Sequence, residues 1–306
     1  MNDLEQQPPQ VETSVLIVSH NCAPALRRCL AALDKSKARE TTEVLVVDCG
    51  SVDDSARIDT EFPAVTVLRL PRNFGRTKAR NIGVRTAKGE YLFLLEPHVE
   101  VQPGTVPSLI STLASRPDAA AVCPLLVDAS GSPVSETGPL PTPETLVSGW
   151  RAGASGRVPL RDPGVEPVEA EYPSPDAVFL RRLFVKGMNY FDQRYGEFGS
   201  DLELFTQVRR AGRKALILPA VHAVSHREAS NAMDSAARAC LSADRALGSA
   251  AWTGKHFGWL AGLRLRLRIV LVAFGLLFGL TDFFYRFGVF SRVVKGEKVD
   301  GFQKGL

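Results

Sequence analysis

The side chains best suited to chemistry in this sequence are Asp201, the Glu96–His98 pair, His222 and His226, Asp48, and the basic trio Arg76, Lys78 and Arg80. Asp201 falls in the first turn of an expected helix at 199–210, where a carboxylate facing a cleft can act as a general base. Glu203, two residues on, does not share its helical face. Glu96 and His98 flank Pro97, and one divalent cation carrying a diphosphate could bridge them. Mg²⁺ prefers oxygen ligands, whereas imidazole suits Mn²⁺ or a later metal better. Asp48 offers acceptors only, which suits hydroxyl and amide donors of a base or ribose, although Asp-Cys-Gly-Ser also reads as a plain turn. Arg76, Lys78 and Arg80 open a short helix, whose N-terminus favours phosphate; the same trio also fits a solvated basic face. Glu-Pro-His alone equally describes an exposed loop, and lone histidines are commonly structural.

The elements that must position these residues follow an alternating pattern. The apolar runs at 14–19, 43–47, 65–70 and 91–95 read as buried parallel strands. Between them, helices are expected at 23–35, after Ser51 with Asp53 and Asp54 at its start, and at 76–86. Another helix at 103–114 and a strand at 119–123 complete the first half. Asn21, Asp48, Glu96 and His98 then lie at carboxyl ends of parallel strands, where open α/β sheets bind ligands. Pro97 cannot donate to a sheet ladder, so the chain must leave the sheet there. Residues 128–173 turn rich in Pro, Gly, Ser and Thr, which suggests a structureless lid or acceptor loop. Order returns at 176–184, followed by the helix at 199–210 and a strand at 215–218. The last third is helical in pattern, and the chain has no internal repeat.

Composition excludes several classes. With 306 residues, 45% hydrophobic and 23% charged, the chain is an ordinary globular one with a sizeable core. Its five cysteines are scattered without CxxC spacing, which argues against a zinc site or disulfide framework and for a reducing compartment. The polar start at 1–13 reads as a disordered lead-in and not a signal peptide, so a cytoplasmic location is expected. From Ala251 onward nine Lys/Arg face three Asp/Glu, so the net charge of +4 is a C-terminal property. That charge sits beside twelve uncharged residues at 269–280, which disfavours nucleic acid as a partner. Spanning a bilayer needs about twenty apolar residues. An interfacial helix over 260–290 fits better, with arginines meeting anionic headgroups and Trp and Phe as anchors. Internal packing or a homodimer interface would account for the same run.

Taken in order, SVLIVSHN, LVVDCGSVDDS and NFGRTKARNIGVRTAKGEYLFLLEPHVEV resemble glycosyltransferase family two, especially its rhamnosyltransferase-like members. Later, FDQRYGEFGSDLELFTQVRRAGRKALILPAVHAVSH looks like the same family's acceptor-side and catalytic block, and the ending GEKVDGFQ resembles the ends of some members. The resemblance covers roughly 14–230. It implies an α/β, Rossmann-like GT-A nucleotide-sugar transferase fold with a helical C-terminal extension. The domain would run over 14–230, with a nucleotide-binding half at 14–125 and an acceptor and catalytic half at 126–230. A helical basic and apolar segment would follow at 231–306, associated with the inner face of a membrane.

The implied activity is transfer of a sugar, with inversion, from a nucleoside diphosphate donor to a hydroxyl of a glycan or lipid-linked acceptor. By similarity, Ser19, Asn21 and Asp48 would hold the nucleoside. Asn73, Arg76, Lys78 and Arg80 would flank the base and diphosphate, together with Glu96. Asp201 matches the carboxylate that deprotonates the acceptor. Glu96-Pro97-His98 falls where the family's metal-binding Asp-x-Asp motif belongs, and His226 matches a histidine near the metal. The implied cofactor is Mn²⁺ or Mg²⁺ on Glu96, His98 and His226, with Glu100 as the alternative acid in place of His98. His98 departs from the pattern by replacing an acid, which leaves a non-catalytic, glycosyltransferase-like binding or scaffold protein as the alternative.

Overall fold

The computed structural model describes residues 11–36, 41–152, 156–226, 235–279 and 282–299. Most of the expected lead-in at 1–13, and the ending from 300 on, lie outside them. The first half runs β1 (Thr13–Ser19), α1 (Ala23–Lys35), β2 (Thr42–Asp48), a 3₁₀ helix (Asp54–Thr60), β3 (Val65–Arg69), α2 (Arg76–Thr86) and β4 (Tyr91–Leu95). Then come β5 (Val99–Val101), α3 (Thr105–Ser115), β6 (Ala119–Val127), β7 (Glu136–Thr137), α4 (Pro143–Ala152), β8 (Val158–Pro159) and β9 (Val168–Glu169). The rest comprises β10 (Ala177–Arg181), α5 (Arg182–Gly187), α6 (Ser200–Arg210), β11 (Lys214–Ser225), α7 (Ser235–Phe257), α8 (Trp259–Leu276) and α9 (Phe283–Lys295).

Among the described residues one sheet has the order β3-β2-β1-β4-β10-β6-β11-β5, with β9 on β11. Strands β3, β2, β1 and β4 are parallel, and β10 is antiparallel to β4 and β6. The parallel strands read as continuous apolar runs because helices cover both faces. Val15, Ile17, Val46 and Phe93 meet α1 and α3 on one side; Leu16, Leu45, Leu92 and Leu94 meet α2 and α6 on the other. Register places Ser19 beside Asp48, and Ala177 beside Leu95, so Asp176 comes next to Glu96. All five cysteines are free.

Three expectations change. The helix after Ser51 is a 3₁₀ helix, interrupted by non-helical backbone at Arg57. Asp53 caps it, but also accepts from the Ala23 amide (2.9 Å), so its carboxylate ties two elements together. Residues 128–173 are not structureless: they contain β7, α4, β8 and β9. Two-residue strands carry no readable period, and on α4 Val147 and Trp150 pack on the C-terminal helices while Leu146 touches both these and the sheet core. Finally, β11 continues to Ser225, because a register shift between Leu218 and His222 accommodates Pro219 inside the strand.

The C-terminal helices form a cluster of their own, built from Ala239, Ala243, Ala246, Leu265, Ile269, Ala273, Val289 and Val293. Small residues on α7 let α8 and α9 approach closely. Among the described residues no helix is long and apolar enough to cross a membrane.

Candidate active site

The carboxyl ends of β1 and β2 frame the first part of the site. The Ser19 hydroxyl donates to Asp48 (3.4 Å), and the Ser51 amide donates to the same carboxylate (3.0 Å). Asn21 takes a left-handed backbone (φ 48°), and its side-chain oxygen accepts from the Val52 amide (2.8 Å). Ser19, Asn21 and Asp48 therefore clasp the two loops together. The wall of the adjoining cavity, about 270 Å³, comes from their neighbours Val18, His20, Cys49 and Asn73. His20, whose Nδ1 lies 2.9 Å from the Cys49 carbonyl oxygen, reads from sequence only as a loop residue after β1.

Helix α2 begins at Gly75, which has φ 84° and sits so close to the 196–199 loop that a Cβ would fall 2.9 Å from the Gly196 carbonyl carbon. Only glycine tolerates both demands. Arg76 and Arg80 follow at i and i+4, on one face. Both guanidiniums converge on a single oxygen of Glu96, at 3.0 and 2.9 Å. Arg76 also pairs with Glu197 (2.9 Å), and Arg80 donates to the Ser200 hydroxyl (3.1 Å). Lys78 lies off that face, above the Phe74 ring. Asn73 accepts from the Gly75 amide (2.8 Å) and so shapes the turn that presents both arginines.

A second cavity of about 580 Å³ lies beyond this wall. Arg76, Glu96, His98, Glu197 and Phe198 line both cavities, so they form the partition between them. Asp201 lines the larger one, with Arg157 and Tyr172 beside it. The Tyr172 hydroxyl donates to Asp201 Oδ2 (2.7 Å), and Arg157 lies 3.7 Å from the same atom. Burial alone would raise the Asp201 pKa, but the Arg157 charge and the Tyr172 hydrogen bond hold it below the usual carboxylate value. The carboxylate is thus ionised at neutral pH and able to take a proton. Glu203 is turned into the core, as its two-residue offset requires. Arg157, Tyr172 and Asp176 carry no motif that sequence reasoning could find, since they reach the site from an insertion and from the entry to an antiparallel strand; Glu197 lies in the FDQRYGEFGSDLELF block but has no signal of its own there.

The histidines are distributed differently from expectation. His98 Nε2 lies 3.5 Å from Asp176 Oδ2, and His226 Nε2 lies 2.9 Å from Glu100 Oε2. The His226 amide donates to the His98 carbonyl (2.8 Å), which fixes the two loops side by side. His222 precedes them on β11, its carbonyl accepting from the Thr105 hydroxyl (3.2 Å).

Residues 14–145 match the family model for Glycosyl transferase family 2. The chain carries a family 2 glycosyltransferase domain. It is 26% identical over 277 residues to the N-acetylglucosaminyl-diphospho-decaprenol L-rhamnosyltransferase of Mycobacterium tuberculosis, covering 83% of this chain and 88% of that protein. Its fold resembles a mannosyltransferase from Pyrobaculum calidifontis in complex with GDP-Man and Mn²⁺ (TM-score 0.53, 16% identity, 96% of this chain and 89% of that one). It also resembles GalNAc-T7 with UDP, GalNAc and Mn²⁺ (TM-score 0.56, 22% identity, 73% of this chain and 47% of that one). The GT-A fold expected from the motifs is therefore present, and the protein is a glycosyltransferase of the nucleotide-sugar class. The scaffold alternative finds no support among these relatives.

In this glycosyltransferase the side chains expected to hold a divalent ion do not fit one. Glu96 is committed to two guanidiniums, while His98 and His226 each have a separate acidic partner. Among the described residues no three His, Cys, Asp or Glu side chains form a metal-holding group. The physical reason is electrostatic: a dication at Glu96 would sit within a few ångströms of two arginine charges, a repulsion of several kcal/mol even in a well-screened site. In the folded protein Glu96 lies between two guanidiniums, His98 Nε2 is buried 3.5 Å from Asp176 without a hydrogen bond, and His226 faces Glu100.

One further carboxylate holds the site of the glycosyltransferase together. Buried Asp244 on α7 accepts from the Glu197 amide (2.8 Å), the Phe198 amide (3.0 Å) and the Val299 amide (3.4 Å). It thereby joins the partition loop to the C-terminal ending. Burial pushes its pKa up to about 6, against the pull of those amides. A carboxyl raised in the folded state binds more protons than in the unfolded chain, so its contribution grows as pH falls from about 6 towards 4. We predict that Asp244→Asn abolishes this rise, measured as urea unfolding midpoints across that window. A pH dependence unchanged by the substitution would refute it.

Proposed function

We propose that the protein is an inverting glycosyltransferase that moves a sugar from a nucleoside diphosphate donor to a hydroxyl of a lipid-linked acceptor. The observation that carries this reading is the partition: Arg76 and Glu96 stand between a small cavity framed by the β1 and β2 loops and a large one containing Asp201. The nucleoside would occupy the small cavity, held by the loops that Ser19, Asn21 and Asp48 clasp, and the diphosphate would lie along the partition. The acceptor would enter the large cavity. Asp201 takes the acceptor proton, the oxygen forms a bond to the anomeric carbon, and the carbon–oxygen bond to the diphosphate breaks. The leaving nucleoside diphosphate keeps the electron pair, and Arg76 and Arg80 balance its charge. A base acting on the acceptor oxygen itself fits a single displacement, hence inversion.

Turnover across a panel of UDP-, GDP- and dTDP-sugars, followed as released nucleoside diphosphate, tests the reading. Release from one donor that is lost in Asp201→Asn supports it. Nucleoside diphosphate release unaffected by that substitution would defeat the assignment of the base.

The lipid-linked acceptor is supported by the likeness to an N-acetylglucosaminyl-diphospho-decaprenol L-rhamnosyltransferase and by the C-terminal helices. On α8, Gly262, Leu265, Ile269 and Ala273 face inward. The opposite face exposes Leu260, Leu263, Leu267, Leu271, Phe274 and Phe278 at helical spacing, with Arg264, Arg266 and Arg268 exposed between them. Helix α9 adds Phe283, Phe284 (83% exposed) and Phe287. So large an apolar face beside basic residues suits the interface of an anionic membrane, at its inner face. We expect the full chain to co-float with vesicles containing anionic lipid, and Leu271→Glu with Phe284→Glu to abolish flotation without unfolding the protein. Failure of the unaltered chain to float, together with elution as a dimer that those substitutions split, would identify the face as a homodimer interface instead.

A further inference from the structure

We propose that Arg76 and Arg80, locked together by Glu96, do the charge-neutralising work that a divalent ion would do, so that donor binding needs no metal. The inference rests on the glycosyltransferase reading above and concerns the same partition.

Three independent observations converge. Glu96 occupies the first position of the expected metal motif, yet its Oε1 receives both guanidiniums, at 3.0 and 2.9 Å. Its acidity is used to gather two guanidiniums at the end of β4; with Glu96 and Glu197 counted the cluster is neutral, so what it offers a diphosphate is a set of fixed N–H donors. The second position is His98, which brings a nitrogen and no formal negative charge, and which lies against Asp176 instead of Glu96. The arginines are also correctly placed for the task. Arg76 lines both cavities and Arg80 the larger one, so a diphosphate crossing from the nucleoside side to the Asp201 side must pass them.

The donor inventory agrees. Each guanidinium has five N–H groups in a planar fork matched to phosphate oxygens. Contacts to Glu96, Glu197 and Ser200 occupy only part of that set. Arg245, stacked over the Phe198 ring at 4.6 Å, adds charge to the same wall. Arginine stays protonated throughout the accessible pH range, so the clamp keeps its N–H donors without an ion and without a titration. In the transfer step the electron pair of the breaking bond goes to the diphosphate, and these guanidiniums donate hydrogen bonds to the oxygens that carry the developing charge.

Isothermal titration of the full chain with UDP, GDP and dTDP, each in Mn²⁺, in Mg²⁺ and in EDTA, tests the proposal. The expected result is binding of at least one nucleoside diphosphate, with affinity in EDTA within about threefold of that in metal. Arg76→Ala should weaken EDTA binding about tenfold or more, with a thermal midpoint near that of the unaltered chain. Loss of binding in EDTA by about tenfold or more, restored by Mn²⁺, would overturn the proposal while leaving the transferase reading intact. Absence of binding under every condition would overturn both.

Discussion

Asp201→Asn is expected to reduce sugar transfer by about 10²–10⁴-fold while leaving nucleoside diphosphate affinity unchanged. The amide preserves the shape of the side chain and can still accept from the Tyr172 hydroxyl, but it cannot take the acceptor proton. The magnitude follows from what a positioned general base contributes. The separation of effects follows from geometry, because Asp201 faces the large cavity and is not part of the partition or the β1–β2 loops. Transfer of labelled sugar into a lipid fraction measures the first quantity, and titration of the nucleotide measures the second. A parallel loss of both would mean that Asp201 supports the structure and not the reaction. Tyr172→Phe is informative beside it: removing one hydrogen bond to the carboxylate should weaken transfer far less.

The second large effect concerns stability. Glu203→Ala is expected to destabilise the fold by about 3–5 kcal/mol, the cost of breaking a buried ion pair on one side. Glu203 is 1% exposed and accepts from the Tyr195 hydroxyl (2.8 Å), Gln207 (2.8 Å), Lys255 (2.9 Å) and His256 (2.7 Å). Burial would raise its pKa, but the hydrogen bonds from His256, Lys255, Gln207 and Tyr195 overcome that and bring it down to about 2. A carboxyl depressed in the folded state stabilises above its unfolded value and loses that stabilisation as pH falls towards 2. The difference is worth about 3 kcal/mol near neutral pH by linkage. Urea unfolding at neutral pH should show the full loss, and the gap between Glu203→Ala and the unaltered chain should narrow in acid. A shift below about 1 kcal/mol at neutral pH would show that the network is dispensable. Because Lys255 and His256 belong to α7, this carboxylate also fastens the C-terminal helices to α6, directly behind Asp201.

The two carboxylates of α6 illustrate how far sequence reaches. The helix at 199–210 was legible from its apolar spacing, and the two-residue offset of Asp201 and Glu203 already required different faces. Which face met a cavity and which met Lys255 and His256 depended on α7, some fifty residues later. Likewise the i, i+4 spacing of Arg76 and Arg80 put them on one face with Lys78 off it. Their convergence on Glu96 appeared only when α2 was laid beside the end of β4.

By itself the sequence determined the β/α alternation, the parallel character of its first strands, the helical ending and the placing of Asp201 in the first turn of its helix, because apolar periodicity and turn chemistry are local. It also located the ends of β1, β2 and β4, since the residues that stop a strand are adjacent to it in the chain. The tertiary structure decided which charges pair. Asp176 arrives on an antiparallel strand, Glu197 on a loop pinned by Asp244, and Arg157 and Tyr172 from the 128–173 insertion. Coulomb energy depends on distances of a few ångströms, and those distances are set by elements far apart in sequence. For that reason Glu96 and His98 read as neighbours able to share an ion, yet in the folded protein one holds two arginines and the other lies 3.5 Å from an aspartate.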